Sequence, residues 1–382
     1  MSIAIEKLTA AYELEQKNSA PPKEAGDLPL SYEAITDEWL TNVICRNTPN
    51  AEVKSHRLGP ADEGNTSRRT IYLEYNETGR TAGFPSSVFC KATQQLASRI
   101  SAGIPGAVHS EVSFYNKVRP LLKIEAPECI WANYNRETLN SIVILYNLGD
   151  ETEFCSMKTD ITEQRCREQL ALLAQFHGFF YQRPDSKQLL SAFSTWPEFF
   201  DRTKSFGIEQ ISANGFQEAK EVIPARLFKR ADEIWSATLA SVALHEKLPQ
   251  TLTHSDVHLR NWYISPGDKM GLNDWQCTCK GHWSRDVAYA ITSSLSVERR
   301  RKLEKPLLRY YLEKLKEAGG PVSDFSTAWT HYRQQLLSVL IWWTVTMPSA
   351  ELPAMQPLDF TLEMIKRIST AMDDLDSIDS IS

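Results

Sequence analysis

The stretch from Thr251 to Gln276, TLTHSDVHLRNWYISPGDKMGLNDWQ, constrains the fold of this chain more than any other. A tight loop carrying His254, Asp256 and Asn261 leads into a short apolar strand over Trp262 to Ile264. A Pro266-Gly267 turn then predicts a return strand, Met270 to Leu272, which delivers Asp274 at its end. The product is a hairpin with two carboxylates and an amide at its mouth. Asn261 follows Asp256 by five positions, and Asp274 follows Asn261 by thirteen. That set suits phosphoryl transfer from a metal-nucleotide. One carboxylate orients the attacking hydroxyl and accepts its proton, while an amide oxygen and a second carboxylate hold divalent cations against the phosphates. Such chemistry is mostly positioning and charge neutralisation.

On these residues the chain resembles a known family. HSDVHLRN resembles the catalytic loop of the protein-kinase-like superfamily, and LNDWQ resembles its metal-binding segment in the aminoglycoside phosphotransferase and choline kinase branch. That branch carries an H-G-D-x-H-x-x-N loop and a hydrophobic-Asp-Trp pair where protein kinases have D-F-G. Ser255 stands where the branch usually has Gly, and the spacing from Asp256 to Asn261 is unchanged. The resemblance runs from about Trp39 to Tyr311, with the loop pair as its specific part. It implies an α+β, two-lobed protein-kinase-like fold, with a small, mainly antiparallel β lobe and a larger, mostly helical lobe. The expected division is an N-terminal extension and linker over 1–30, a nucleotide-binding lobe over 31–148, a helical lobe over 149–372 and a flexible acidic tail over 373–382. The resemblance further implies that Asp256 is the catalytic base and that Asn261 and Asp274 are the metal ligands. ATP, or another nucleoside triphosphate, would be used with Mg²⁺, and the acceptor would be a hydroxyl of a small molecule: an aminoglycoside, choline or another amino alcohol, or a sugar. A protein acceptor is disfavoured, because no segment with an A-P-E-like end lies between Asp274 and the next helix.

Upstream, residues 51 to 92 read as strands. TIYLEYN alternates Ile71, Leu73 and Tyr75 with Tyr72, Glu74 and Asn76, the period of a half-buried strand. The resemblance makes this a strand, phosphate-covering turn, strand unit with Gly59, Gly64, Asn65 and Ser67 at the tip, although the residues fit neither a Gly-rich kinase pattern nor a Walker motif. A plain hairpin loop accounts for them equally. The strand SSVFCKAT places Lys91 after an apolar run, and twenty residues later the helical HSEVSFYNKVRP carries Glu111, with Val112, Tyr115 and Val118 as its buried stripe. A lysine reaching the nucleotide phosphates and held by a glutamate on the following helix is the arrangement the resemblance implies. The strand SIVILYNLGD is nearly continuous in apolar residues, as a buried strand is. The resemblance makes its end, Tyr146, Asn147 and Leu148, the hinge whose backbone meets adenine.

Before this body, residues 1 to 18 have a loose helical spacing, KNSAPPKEAGD reads as a linker, and Thr36 or Asp37 caps a helix with Trp39, Leu40, Val43 and Ile44 as its stripe. After Gly149 the pattern is helical. His177 falls on or beside an apolar face and reads as a packed, hydrogen-bonded histidine. Trp196, Phe199, Phe200 and Trp235 read as core. Asp286 is either an N-cap or, on the resemblance, a buttress of the metal loop together with Arg285. Ser296 to Gly319-Gly320 is a helix with both caps legible, and its Arg299 to Lys302 run reads as a solvated face. Leu336 to Thr346 reads as a buried helix too short to span a bilayer, which takes about 18 or more apolar residues.

A net charge of −6 gives no basic field for nucleic acid or an anionic membrane, and no obligate protein partner is evident. Seven scattered cysteines and the absence of a secretory signal lead us to expect a cytoplasmic protein. Two other readings use part of the same residues. His254, Asp256 and His258 form an H-x-D-x-H run with Cys277-x-Cys279 nearby, and on an extended strand alternate side chains would converge on Zn²⁺, as in a metallohydrolase. That reading leaves Asn261, Asp274, Lys91 and Glu111 without a part. A nucleotide-binding pseudokinase is the other, although every charged group the transfer needs is present.

Overall fold

The alternation at Ile71, Leu73 and Tyr75 forms the inner face of a long strand, with Tyr72 and Glu74 turned to solvent. In the computed structural model, which describes residues 2–64, 66–348 and 355–381, this strand organises the first of two units, Met1–Leu121 with Pro127–Asp150. Its strands are β1 (Val53–Leu58), β2 (Asp62–Glu63), β3 (Ser67–Tyr75), β4 (Ser87–Ala92), β5 (Cys129–Tyr134) and β6 (Ser141–Tyr146). They run in the order β1-β3-β4-β6-β5, β2 pairs with β3, and every pair is antiparallel. β6 is buried from Ser141 through Leu145, as its continuous apolar run requires.

Helix α1 (Ser2–Lys17) precedes the sheet, and α2 (Asp37–Ile44) is capped by Thr36, whose hydroxyl accepts the Trp39 N–H. α2 packs Trp39, Leu40 and Val43 against Ile71, Val88, Ile142 and Ile144. Glu15 of α1 meets the fully buried Arg99 and accepts from the Thr138 hydroxyl at 2.6 Å, so the N-terminal extension packs on the first unit. Helix α3 (Ala107–Ser113) starts after Gly106 at φ 100° and continues through one π turn over Phe114–Val118.

The second unit, Leu122–Ala126 with Glu151–Ser382, is mostly helical. It has two small antiparallel sheets, formed by β7 (Glu153–Phe154), β9 (Trp262–Ser265) and β10 (Lys269–Leu272), and by β8 (Thr251–Thr253) with β11 (Cys279–Gly281). Its longer helices are α4 (Glu163–Gly178), α5 (Trp196–Lys204), α6 (Ile208–Glu218), α7 (Ala231–Lys247), α8 (Ser284–Ser294), α9 (Val297–Glu317), α10 (Phe325–Thr344) and α11 (Leu358–Asp374). α5 opens with a full capping box between Thr195 and Glu198, and its Trp196, Phe199 and Phe200 are core. Every residue of α8 is buried. α9 is capped by the Ser296 hydroxyl and ends before Gly319 at φ 90°. No described helix is long and apolar enough to cross a membrane, and all seven cysteines are free thiols.

The structure differs from expectation at two charged segments. In the basic run of α9, Arg299, Arg301 and Lys302 are exposed as expected, but Arg300 is buried on Glu304 and Asp374; Arg301 also meets Asp374, and Arg299 meets Asp160. The acidic residues 373–381, expected as a flexible tail, are anchored by the same logic. Asp373 and Asp376 pair with Arg226, Asp379 pairs with Arg230, and Arg333 donates to the carbonyls of Leu375 and Asp376. Local composition reads as disorder, yet arginines from remote helices supply the partners. Removing residues 373–382 should therefore lower the thermal midpoint by several degrees and make the remaining shift strongly dependent on salt; a truncated protein that melts with the full chain would show that these pairs add nothing.

Candidate active site

The second unit builds its site on one loop. β8 ends at Thr253, and the chain turns out of extended geometry at Ser255, which has φ 67°. A non-glycine residue in this left-handed region is strained and needs local support. The Ser255 N–H donates to Asp286 Oδ1 at 2.9 Å, and its hydroxyl lies 2.9 Å from Thr253 Oγ1 and 3.1 Å from Cys279 Sγ. The buried Arg285 guanidinium, stacked 3.8 Å above the Trp196 ring, donates to the Ser255 carbonyl. The serine thus keeps a conformation that suits glycine because four neighbours hold it.

Asp286 carries the loop. It is the third residue of α8, wholly buried, and not an N-cap. Its Oδ2 accepts the His254 N–H at 2.7 Å and lies 3.1 Å from His177 Nε2, whose Nδ1 faces the Tyr311 hydroxyl at 2.8 Å. Burial pushes its pKa up, but the His177 hydrogen bond and the surrounding His177, His254 and Arg285 outweigh this and leave it below the ordinary aspartate value. His177 is structural, as its apolar face predicts.

Past the turn, Asp256 is partly exposed, with 14% of its side chain open. Its Oδ1 accepts from the Tyr289 hydroxyl at 3.3 Å, and its Oδ2 accepts from Asn261 Nδ2 at 3.3 Å. The same Asn261 amide donates to the Asp256 carbonyl at 2.7 Å, which turns its nitrogen to the loop and leaves Oδ1 as its oxygen for a cation. Asn261 O accepts the Asn273 N–H at 2.9 Å, so the residue before Asp274 is tied to the amide. β9 and β10 pair in register Ser265 to Lys269, and Gly267 at φ 86° makes the turn. Asp274 follows β10 in the left-handed region at φ 61°. The structure therefore brings Asp256, Asn261 and Asp274 onto one hydrogen-bonded loop and hairpin, with hard oxygen donors of the kind Mg²⁺ takes.

The zinc reading does not survive the loop geometry. His254, Asp256 and His258 lie beyond the end of β8, so they share no strand face. His254 Nε2 donates to the Asn273 carbonyl at 2.9 Å, and its Nδ1 accepts the Asp256 N–H, which commits both ring nitrogens. Burial raises the Cys277 thiol well above its ordinary value and the Cys279 thiol to about 11. Among the described residues no three His, Cys, Asp or Glu side chains are placed to share a metal ion.

The first unit carries the other predicted pair. Lys91 lies in β4 between Arg68 of β3 and Val143 of β6, and it is 7% exposed. Its Nζ is 2.9 Å from Oε1 of Glu111 on α3, which is 6% exposed and so not a surface acid. Two ions this deep remain charged because they are paired. Tyr146 ends β6 with its N–H on the Glu128 carbonyl, and Asn147 bridges to Ser87 at 3.2 Å and to the Gly149 N–H. The expected phosphate-loop tip is different. Ser67 is buried inside β3, where β2 pairs with it, and the Gly59 N–H is engaged by Thr70 O, which continues the β1–β3 ladder. Gly64 is at the turn, and Asn65 lies outside the described residues.

Tyr289 escapes the sequence reading. Its signal is weak but present: it stands three residues after Asp286 on a helix, so the two share a face.

Two predictions concern stability. Asp286→Ala strands the buried His254 and Ser255 N–H groups and His177, and should destabilise the protein by about 3–5 kcal/mol in urea unfolding. His245, His254, His258 and His282 all have pKa values lowered by burial, His245 to about 4. In the unfolded chain they take protons near pH 6.5, so the unfolded state binds more protons below that pH. Stability is thus complete above about pH 6.5 and falls on acidification at up to about 1.4 kcal/mol per pH unit for each histidine, the His245 share levelling off below its folded value. Urea midpoints between pH 7.5 and 4.5 test this, and a flat profile contradicts it.

The comparisons agree with the geometry. Residues 99–324 match the model of the phosphotransferase enzyme family, while no curated protein matches by sequence. Among solved structures the chain is similar to an ethanolamine kinase of Plasmodium vivax, at 14% identity over 96% of this chain and 94% of that one, with a TM-score of 0.50. It is also similar to a spectinomycin phosphotransferase in complex with ADP and spectinomycin, at 13% identity over 85% and 94% with a TM-score of 0.48. A macrolide 2'-phosphotransferase from Brachybacterium faecium gives 13%, 83%, 94% and 0.47. With the protein-kinase-like fold so established and more than half of its length matched, the chain belongs to the phosphotransferase enzyme family.

Proposed function

We propose that this enzyme moves the γ-phosphoryl group of ATP, or another nucleoside triphosphate, to a hydroxyl of a small molecule, with Asp256 as the base. The observation that carries this reading is the loop itself: a partly exposed carboxylate held by a phenol and by the Asn261 amide, with the hairpin end that bears Asp274 tied to the Asn261 carbonyl through Asn273. Asp256 orients the attacking hydroxyl and takes its proton as the bond to the γ-phosphorus forms and the bond to the β–γ bridging oxygen breaks, releasing the nucleoside diphosphate. Asn261 and Asp274 would hold Mg²⁺, which when bound neutralises charge on the phosphates. Lys91 would contact the α and β phosphates, with Glu111 keeping its ammonium extended, and the backbone at Tyr146, Asn147 and Leu148 would meet the base. The names of the similar structures suggest acceptors of the amino alcohol or aminoglycoside kind.

Thermal shift tests the site without a known acceptor, because a ligand of the native state raises the melting point by mass action. ATP with Mg²⁺ should raise it more than either alone, and ethanolamine, choline, spectinomycin and kanamycin can then be screened as acceptors. Asp256→Asn should lower turnover by roughly a hundredfold or more while keeping the nucleotide shift, since base catalysis contributes about 10²–10⁴. Normal turnover in that variant would remove Asp256 from the mechanism.

A further inference from the structure

We propose that Tyr289 is a positioning residue for phosphoryl transfer, its phenol tethering Oδ1 of Asp256 so that the base presents a fixed carboxylate plane. The inference rests on the reading of Asp256 as the base. An aspartate is soft and two-fold about its Cβ–Cγ bond, so one hydrogen bond leaves the carboxylate free to rotate. Here two donors hold it from opposite ends: Tyr289 on Oδ1 at 3.3 Å and Asn261 on Oδ2 at 3.3 Å. They come from different elements, α8 and the loop itself.

The placement of Tyr289 gives this tether its stiffness. It is fully buried on α8, three residues from Asp286, which holds the backbone N–H groups of His254 and Ser255. One rigid helix therefore fixes both the main chain of the loop and the side chain that reacts. A buried hydroxyl requires a hydrogen-bond partner, and the carboxylate is within its reach. The phenol also stays neutral, because burial, with Asp256 beside it, raises its pKa well above the ordinary tyrosine value. The His258 ring beside the carboxylate is neutral as well. His258 Nδ1 accepts the Arg260 N–H, so its proton is on Nε2, 3.7 Å from Asp256 Oδ2, and burial keeps the ring uncharged. Two neutral donors at opposite ends fix the plane of a carboxylate. Tyr289 touches the reaction only through Asp256.

The test compares wild type, Tyr289→Phe, Asp256→Asn and the double variant in Mg²⁺-ATP turnover, with water and ethanolamine as acceptors. Phenylalanine keeps the ring and removes only the hydroxyl, so the melting point should stay within a few degrees of wild type. For Tyr289→Phe we expect kcat to fall roughly ten- to hundredfold, the scale set by a misplaced catalytic group, with KM for ATP unchanged within about twofold. In the Asp256→Asn background the same change should have no further effect. A Tyr289→Phe enzyme with wild-type kcat, or one that loses activity equally in both backgrounds, overturns the positioning role while leaving the base intact. A parallel rise in KM and loss of melting temperature assigns Tyr289 to structure and also overturns it. Full activity in Asp256→Asn, or no turnover by wild type, fails the underlying reading instead.

Discussion

One buried carboxylate holds the second unit's site together. Asp286 takes the two backbone N–H groups that a left-handed turn at Ser255 would otherwise leave unpaired in a dry interior, and it takes His177 from behind. Unpaired, each of those groups would cost on the order of 1–3 kcal/mol. With them satisfied, the loop can hold a conformation that favours glycine at a position occupied by serine. The direction in which Asp256 points follows from that turn, as does the reach of Asn261 back to the Asp256 carbonyl. A change at Asp286 would therefore disturb the placement of Asp256 and Asn261 without touching either side chain.

Charge in this enzyme is handled differently at the two predicted pieces of machinery. In the first unit, Lys91 and Glu111 neutralise one another at 2.9 Å in a buried setting, which fixes a lysine that would otherwise lose its charge or its place. Asp256 instead accepts from a phenol and an amide, with the His258 imidazole 3.7 Å away. Such a shell restrains the carboxylate without setting a second charge against it. Both arrangements hold a side chain in place, which is what the proposed transfer would ask of them.

The loop and hairpin were legible because their chemistry depends on spacing along the chain. The intervals between Asp256, Asn261 and Asp274, the Pro266-Gly267 turn and the apolar strands are local facts, as are the caps at Thr36 and Ser296. Lys91 and Glu111 were nameable as a pair only through the family resemblance. The anchored acidic end was misread because its partners, Arg226, Arg230 and Arg333, lie on other helices. The phosphate-loop tip was misplaced because β2 extends the pairing and draws Ser67 into β3.

What the sequence determined by itself is therefore the local run of strands, turns and caps and, through the family resemblance carried by its motif spacing, the class of fold and the candidate groups of the site, since period and spacing are written residue by residue. Only the tertiary structure decided how those groups are held. The roles of Asp286 and Tyr289, the commitment of both His254 nitrogens and the pairing of the α9 arginines are contacts between distant segments, and burial and partner geometry, which fix them, exist only once the chain has folded.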